Sequence, residues 1–222
     1  PQNLEDVIAL ISLYRPGPMD SIPTYLRNRH EPDKISYKTP QLAHILDVTN
    51  GCIVYQEQVM QIFRELAGFS FGQADNVRRA MSKKKHAVME AEREHFVHGC
   101  TEPGHECPGC VANGISEKVA NEIYDEMSSF ASYAFNKSHA ACYAYVAFQT
   151  AYLKCHYPSE FMAALLTSVL DNTDKVIEYS GECARLGIKV LPPDINISTG
   201  GFTADNGQIR FGLNAVKNVG RN

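Results

Sequence analysis

Tyr55-Gln56-Glu57-Gln58-Val59-Met60-Gln61-Ile62-Phe63-Arg64-Glu65-Leu66-Ala67-Gly68 places apolar side chains at positions 55, 59, 62, 63 and 66. That spacing follows the pitch of an α-helix and leaves one apolar stripe opposite a polar face. Gly68 stands where a left-handed C-terminal cap is expected. The stretch predicts an amphipathic helix, and its pattern continues downstream. Ser70 is the expected cap of a second helix that carries Ala74, Val77 and Met81 on one face and runs on through good helix formers toward Phe96. Ser116 is placed to cap a third, with Val119, Ile123 and Met127 in register. Ser138 is the expected cap of a long run to Tyr157, which Pro158 ends; from Ala140 to Tyr152 this run is apolar on nearly every side, which predicts a central buried helix.

Ser159 to Leu170 and Asp174 to Leu186 read as two further helices, the second closed by Gly187. Only the end turns to strand, over Ile188 to Leu191 and then a hairpin of Phe202 to Ala204 with Gln208 to Phe211, joined at Asn206-Gly207. Upstream, Pro16, Pro18, Pro23, Pro32 and Pro40 leave room only for short helices over Leu4 to Tyr14 and Pro23 to His30. The expected fold is mainly α, with a small β hairpin and strand element near the C-terminus. It divides into a proline-rich segment (1–50), a helical core (51–187) with a cysteine-rich insertion (99–114), and a small β element (188–222).

The 222 residues carry a formal charge of -4, with 44% hydrophobic and 21% charged residues, which excludes disordered and fibrous classes. The longest apolar stretch, Ala140 to Leu153, falls short of the roughly 20 residues that span a bilayer. The chain opens on Pro1 with neither a basic nor an apolar leader segment, so no secretory signal is read there. Cys52, Cys142, Cys155 and Cys183 stand alone in apolar or helical surroundings, which suits reduced thiols and a cytoplasmic protein. A mildly acidic chain cannot grip nucleic acid over its whole surface, so any such site must be local.

Two local clusters meet that description. From Asn76 to Met89 there is no acid, while Arg78, Arg79, Lys83, Lys84 and Lys85 crowd together with His86 adjoining. On a helix these side chains share a broad face, and arginine suits bidentate phosphate contact; a solvated face with nothing bound is the alternative. The second cluster is Asn136, Lys137, Ser138, His139 and, one turn on, Tyr143, where the free N–H groups of a helix start suit an anion. Its alternative is a set of satisfied core residues.

Five blocks then carry a resemblance: Leu13-Tyr14-Arg15-Pro16-Gly17-Pro18, Tyr55-Gln56-Glu57-Gln58-Val59-Met60, Arg78-Arg79-Ala80-Met81-Ser82-Lys83-Lys84, Phe135-Asn136-Lys137-Ser138-His139-Ala140 and Leu191-Pro192-Pro193-Asp194-Ile195-Asn196. In order and spacing, over nearly the entire chain, they resemble the fingers region of the alpha subunit of bacterial replicative DNA polymerase III, the C family. The resemblance implies part of a DNA-directed DNA polymerase, a nucleotidyltransferase whose fingers close over the incoming deoxynucleoside triphosphate and touch the template. Carried over by position, Arg78, Arg79 and Lys83 meet triphosphate or template phosphate; Lys137, Ser138, His139 and Tyr143 line the sugar and phosphate side; Arg15 sits in the loop near the palm. The implied partners are primer-template DNA, deoxynucleotide and the other subunits of the replicative holoenzyme. The parent's Mg2+ would be held by palm carboxylates, including an Asp-x-Asp pair that does not occur here. Gly212 to Gly220 resembles the opening of the helix-hairpin-helix segment that follows the fingers.

The insertion reads separately. Cys100, His105, Cys107 and Cys110 form C-x4-H-x-C-x2-C, three thiols and an imidazole that suit a tetrahedral structural Zn2+; His98 could replace His105. The alternative is an insertion loop with incidental thiols, because the resembled family does not require a metal there. A redox Cys-x-x-Cys lacks the expected strand-into-helix setting. If zinc binds, a rival from another class opens, a non-catalytic zinc-stabilised nucleic-acid-binding module. A P-loop enzyme is excluded because no G-x4-G-K-[ST] occurs. Lacking closely placed carboxylates, the chain by itself is expected not to extend a primer; chelator-sensitive single-nucleotide addition by the pure chain, absent from a mock preparation, would overturn this.

Overall fold

The fold was obtained as a computed structural model that describes residues 1–83, 86–130 and 133–219, with only the backbone described at His86. Lys84 and Lys85 of the basic cluster lie outside the described residues. The described helices are α1 (Leu4–Leu13), α2 (Ile22–His30), α3 (Ala43–Leu46), α4 (Gln56–Ala67), α5 (Phe71–Ser82), α6 (His86–His98), α7 (Gly109–Ala112), α8 (Glu117–Phe130), α9 (Lys137–His156), α10 (Pro158–Ser168) and α11 (Thr173–Arg185). The strands are β1 (Val190–Leu191), β2 (Thr203–Asp205) and β3 (Gln208–Arg210). The mainly α expectation holds, and the chain divides into two compact units, Pro1–Ala144 and Tyr145–Asn222.

In the first unit the apolar stripe of α4 is fully buried, with Val59, Ile62, Phe63 and Leu66 each inaccessible to solvent. Phe63 is the hub: its ring lies 5.3 Å from Phe69, 5.0 Å edge-on from Phe96 and 6.0 Å edge-on from Tyr124. These offset and perpendicular arrangements suit the aromatic quadrupole and tie α4, α6 and α8 together. Tyr124 satisfies its hydroxyl by donating to the Met89 carbonyl at 2.6 Å. Ser70 caps α5 as the sequence suggests, accepting from Gln73 N while the Gln73 side chain accepts from Ser70 N. The helix does not run on to Phe96, however. It stops at Ser82, with Lys83 outside helical dihedrals at φ -91°, ψ 3°, and α6 begins anew at His86.

A second core of the same unit joins Ile8, Ala9 and Leu13 of α1 to Cys52, Val54 and Tyr55 and to Ala140 and Ala144 of α9. The extended segment before α4 is the knot of this unit. Its buried backbone has no sheet to join, and Gln58 supplies the missing partners: Val54 N and Tyr55 N donate to Gln58 Oε1 at 2.9 and 3.0 Å. The amide's Nε2 donates to Ile45 O at 3.0 Å and to Thr49 Oγ1 at 2.7 Å. A buried amide with all four bonds made satisfies the requirement that buried polar groups be paired.

The second unit packs α10 and α11 against a three-stranded sheet in the order β1-β3-β2, over Met162, Leu166, Cys183 and Ile209. β1 pairs parallel with β3, Val190 opposite Ile209, and β2 pairs antiparallel with it. The hairpin turn falls at Asn206 (φ 49°) and Gly207 (φ 75°), the two consecutive left-handed residues that a type I′ turn needs.

One expectation is corrected. The apolar run of α9 is not buried on all sides: Ala140 and Ala144 are buried in a core with Ala141 packed against it, whereas Tyr145, Val146, Phe148, Tyr152 and Leu153 are exposed. A helix that is apolar all round needs neighbours all round, and among the described residues only one stripe of it is buried. No described helix is long and apolar enough to cross a membrane.

Gln58→Leu is expected to strand several buried polar groups at about 1–3 kcal/mol each. A total loss of roughly 3 kcal/mol lowers the midpoint of the transition that unfolds this unit by about 6–12 °C for a protein of this size. Gln61→Leu, which removes only a surface hydrogen bond to Glu65, should stay within about 0.5 kcal/mol. Equal midpoints for the two variants in a calorimetric scan would show that the Gln58 network carries no stability.

Candidate nucleotide and nucleic-acid site

The two clusters singled out in the sequence meet at Gln56 and Glu57. An isolated parallel bridge joins Tyr55 to Phe135, with Gln56 N donating to Phe135 O at 2.9 Å and Phe135 N to Val54 O at 3.1 Å. This bridge sets the first turn of α4 beside the first turn of α9. On one side of it, Arg78 Nη1 donates to Gln56 Oε1 at 3.2 Å. On the other, Glu57 faces the start of α9. Around them opens a cleft of about 480 Å³, bordered by Gln56, Glu57, Arg64, Asp75, Arg78 and Asn136.

The start of α9 differs from the expected one. Asn136, not Ser138, is the cap: His139 N donates to Asn136 Oδ1 at 2.8 Å, while Ser138 is exposed on the first turn. Asparagine and serine rank alike as caps, so tertiary contacts chose between them. The anion position at this terminus is filled by the protein itself. Lys137 N donates to Glu57 Oε1 and Oε2 at 3.1 and 3.0 Å, and Asn136 Nδ2 donates to Glu57 Oε1 at 3.0 Å. A carboxylate there gains from the positive end of the helix as a phosphate would. Lys137 Nζ lies 3.2 Å from Glu5 Oε2 and 5.3 Å above the Tyr55 ring. Tyr55 is buried, its hydroxyl has no hydrogen-bond partner among the described residues, and that burial raises its pKa above the usual phenolic value.

From the same terminus an aromatic ladder extends outward. The Arg15 guanidinium stands 4.6 Å from the Phe135 ring centre, Phe135 lies 5.6 Å from His139, and His139 lies 4.8 Å from Tyr143, whose ring is exposed. Arg15 is engaged rather than free. Its Nε donates to Ser12 O at 3.2 Å and its Nη2 to the Tyr133 carbonyl, and desolvation lowers its pKa from the ordinary guanidinium value. Arg15 therefore braces the loop that leads into α9.

The basic face of α5 is also partly neutralised. Asp75 accepts from Arg78 Nη2 at 2.6 Å and from Arg78 Nε at 3.0 Å, and its other oxygen lies 2.8 Å from Arg79 Nε. Those bonds, the Arg78 ones foremost, hold the Asp75 carboxyl below its usual range. Arg78 is thereby fixed between α4 and α5, whereas Arg79 and Lys83 are exposed. Arg64, stacked 5.9 Å from the Phe71 ring, borders the cleft and was not singled out in the sequence. Glu57, Gln61 and Arg64 share the polar face of α4, so helical periodicity marked them as one face without marking them as functional.

The insertion gathers some of its thiols and leaves its imidazole outside. Cys100 and Cys107 are opposed in an antiparallel bridge, Cys100 N donating to Cys107 O and Cys107 N to Cys100 O, both at 2.9 Å. Cys110 is inaccessible in the core, where desolvation pushes its thiol up to about 12, and His105 is exposed on the intervening turn. Among the described residues no group of three or more His, Cys, Asp or Glu side chains is placed to hold a metal ion. The expected zinc quartet of Cys100, His105, Cys107 and Cys110 is thus not assembled, because the hairpin turns His105 outward while Cys110 faces the core. Nor do the acids suit a polymerase metal pair: Asp75 is spent on Arg78 and Arg79, Asp125 on Arg93 at 2.6 Å, Glu126 on Lys38, and Asp194 accepts from Asn196 N.

Residues 1–104 match the family described as bacterial DNA polymerase III alpha subunit finger domain, and residues 187–222 match a helix-hairpin-helix motif. The chain is 50% identical over 225 residues to DNA polymerase III subunit alpha of Thermus aquaticus, with 99% of the chain and 18% of the relative covered. It is 46% identical to that of Bacillus subtilis (99% and 19%) and 48% identical to that of Chlamydia trachomatis (99% and 17%). The chain spans under a fifth of the length of these relatives, and over that span it belongs to the bacterial DNA polymerase III alpha subunit family, with the finger domain at its N-terminal end.

Proposed function

We propose that this chain serves a DNA-directed DNA polymerase as its fingers, taking the triphosphate of an incoming deoxynucleotide at the start of α9 and template or triphosphate oxygens on the basic face of α5. The observation that carries the reading is the Glu57 carboxylate seated on Lys137 N and Asn136 Nδ2. A helix start already shaped around one oxyanion, with an ammonium group beside it, is chemically suited to a phosphate that displaces the first. Lys137 then supplies charge, His139 and Tyr143 offer ring edges and faces to the sugar and base, and Ser138 presents a hydroxyl on the exposed side of the first turn. Arg79 on α5 and Lys83 just beyond its end are the exposed phosphate contacts of this reading. Arg78 and Arg15 act as positioning residues, the first through Gln56 and the second through Phe135 and the Tyr133 carbonyl.

In this reading the Mg2+ chemistry of polymerisation stays with carboxylates outside this chain, since Asp75, Asp125 and Glu126 are held by Arg78, Arg93 and Lys38. Primer-template DNA and the remaining subunits of the replicative machinery are the partners this reading implies. The matched helix-hairpin-helix motif supports DNA contact at the C-terminal end as well.

The test is a titration of the chain with deoxynucleoside triphosphate at fixed salt. Glu57→Gln keeps the size of the side chain and removes the competing charge. A charge at a helix start is worth about 0.3–1 kcal/mol, so triphosphate affinity is expected to rise about two- to fivefold. Lys137→Ala is expected to lower it, and Arg79→Ala to flatten the salt dependence of template binding. Triphosphate affinity unchanged in both Glu57→Gln and Lys137→Ala, alongside salt-dependent DNA binding, would replace this reading by one of a DNA-backbone binder without a nucleotide site.

A further inference from the structure

The polymerase reading does not use the thiols of the insertion, yet the fold sets two of them side by side. α6 ends at His98, and Cys100 to Cys107 then forms a short hairpin whose tip is ordered by its own bonds, His105 N to Glu102 O and Gly104 N to Glu106 Oε2, both at 2.9 Å. The approach of the two arms depends on glycine. A side-chain carbon at Gly99 (φ 89°) would lie 2.5 Å from the Pro108 carbonyl oxygen, and one at Gly109 (φ 79°) would lie 2.3 Å from Gly99 N. No other residue lets the chain leave α6 and enter α7 at this separation.

The mutual hydrogen bonds make Cys100 and Cys107 directly opposed residues whose side chains leave the same face of the hairpin. Such pairs have Cα atoms about 5.5 Å apart, inside the roughly 4.4–6.8 Å that a disulfide spans. Cys100 is partly exposed, whereas Cys107 is only 8% accessible and directs its thiol toward the His95 carbonyl at 3.6 Å. One sulfur is therefore reachable by a small oxidant and the other waits behind it. The remaining cysteines lack this arrangement. Cys52, Cys110 and Cys183 are buried, Cys110 fully so, and Cys142 and Cys155 stand exposed on α9, thirteen positions apart and so separated by about 20 Å along the helix axis.

We propose that Cys100 and Cys107 are a peroxide-sensitive thiol pair that closes to a reversible disulfide and pins the end of α6 to the start of α7. The Cys100 thiol gives up its proton to solvent and attacks one oxygen of hydrogen peroxide; the O–O bond breaks, Cys100 becomes a sulfenic acid, and the departing hydroxide takes a proton back from solvent to leave as water. The Cys107 sulfur then attacks the Cys100 sulfur. The S–S bond forms, the S–O bond breaks, and the hydroxyl leaves as a second water with the Cys107 proton. Two thiols have given two electrons, one peroxide has become two waters, and a dithiol reductant reverses the change.

The experiment treats the whole chain with graded hydrogen peroxide, blocks residual thiols with an alkylating agent, and maps the cysteines by mass spectrometry before and after dithiothreitol. The expected product is a Cys100–Cys107 link, lighter by two hydrogens than the dithiol form, which appears at lower peroxide than oxidation of Cys142 or Cys155 and disappears on reduction. Cys110→Ser should keep the link; Cys107→Ser should abolish it and leave Cys100 open to a glutathione adduct. A Cys107–Cys110 link, or alkylated Cys100 and Cys107 at doses that already oxidise Cys142, would overturn the proposal, and the native chain alone decides between these outcomes.

Discussion

The first unit depends on the need of a buried, sheetless stretch of backbone for hydrogen-bond partners. Residues 52–55 run extended through the interior, and Gln58, one turn into α4, returns its amide to Val54 N and Tyr55 N while reaching Ile45 O and Thr49 Oγ1 with its other end. Once that segment is fixed, Tyr55 can bridge to Phe135, and the start of α9 has only one place to lie. A polar network of this kind specifies one arrangement because each alternative leaves a buried group unpaired. The candidate surface is thus a consequence of a core hydrogen-bond problem solved two residues away.

On that surface the protein keeps its charges in internal account. Glu57 occupies the helix start, Glu5 faces Lys137, and Asp75 holds Arg78 and Arg79. Among the described residues these cations already have carboxylate partners, in a chain of net charge -4. Under the proposed reading, an arriving phosphate exchanges one oxyanion for another. Exchange of that kind keeps the geometry preformed while limiting how tightly any single phosphate is held.

The exposed apolar length of α9 has a different meaning. Tyr145, Val146, Phe148, Tyr152 and Leu153 lie open on a helix whose composition suits an interior. Contiguous exposed apolar surface usually marks an interface, and the relatives are more than five times the length of this chain.

Local rules decided much of the rest. The apolar stripe at 55, 59, 62, 63 and 66, the cap at Ser70, and the Asn206-Gly207 turn were all legible in the sequence because each depends on neighbours within a turn or two. The two basic clusters were legible as composition, and their likeness to the finger domain as ordered motifs. Their convergence on Gln56 and Glu57 was not, because residues 78 and 137 are joined only through bonds across some twenty to eighty positions of chain. Asn136 displaced Ser138 as cap because Glu57 holds its amide, and apolar composition alone did not say which faces of α9 would be buried. Spacing likewise suggested four converging ligands in the insertion, whereas hairpin pleating placed Cys100 beside Cys107 and turned His105 away. Sequence by itself determined most of the helices, the turns and the family, since these follow from short-range periodicity and ordered motifs; tertiary structure alone decided which charges meet, since that depends on where distant segments must go to satisfy buried backbone and fill the core.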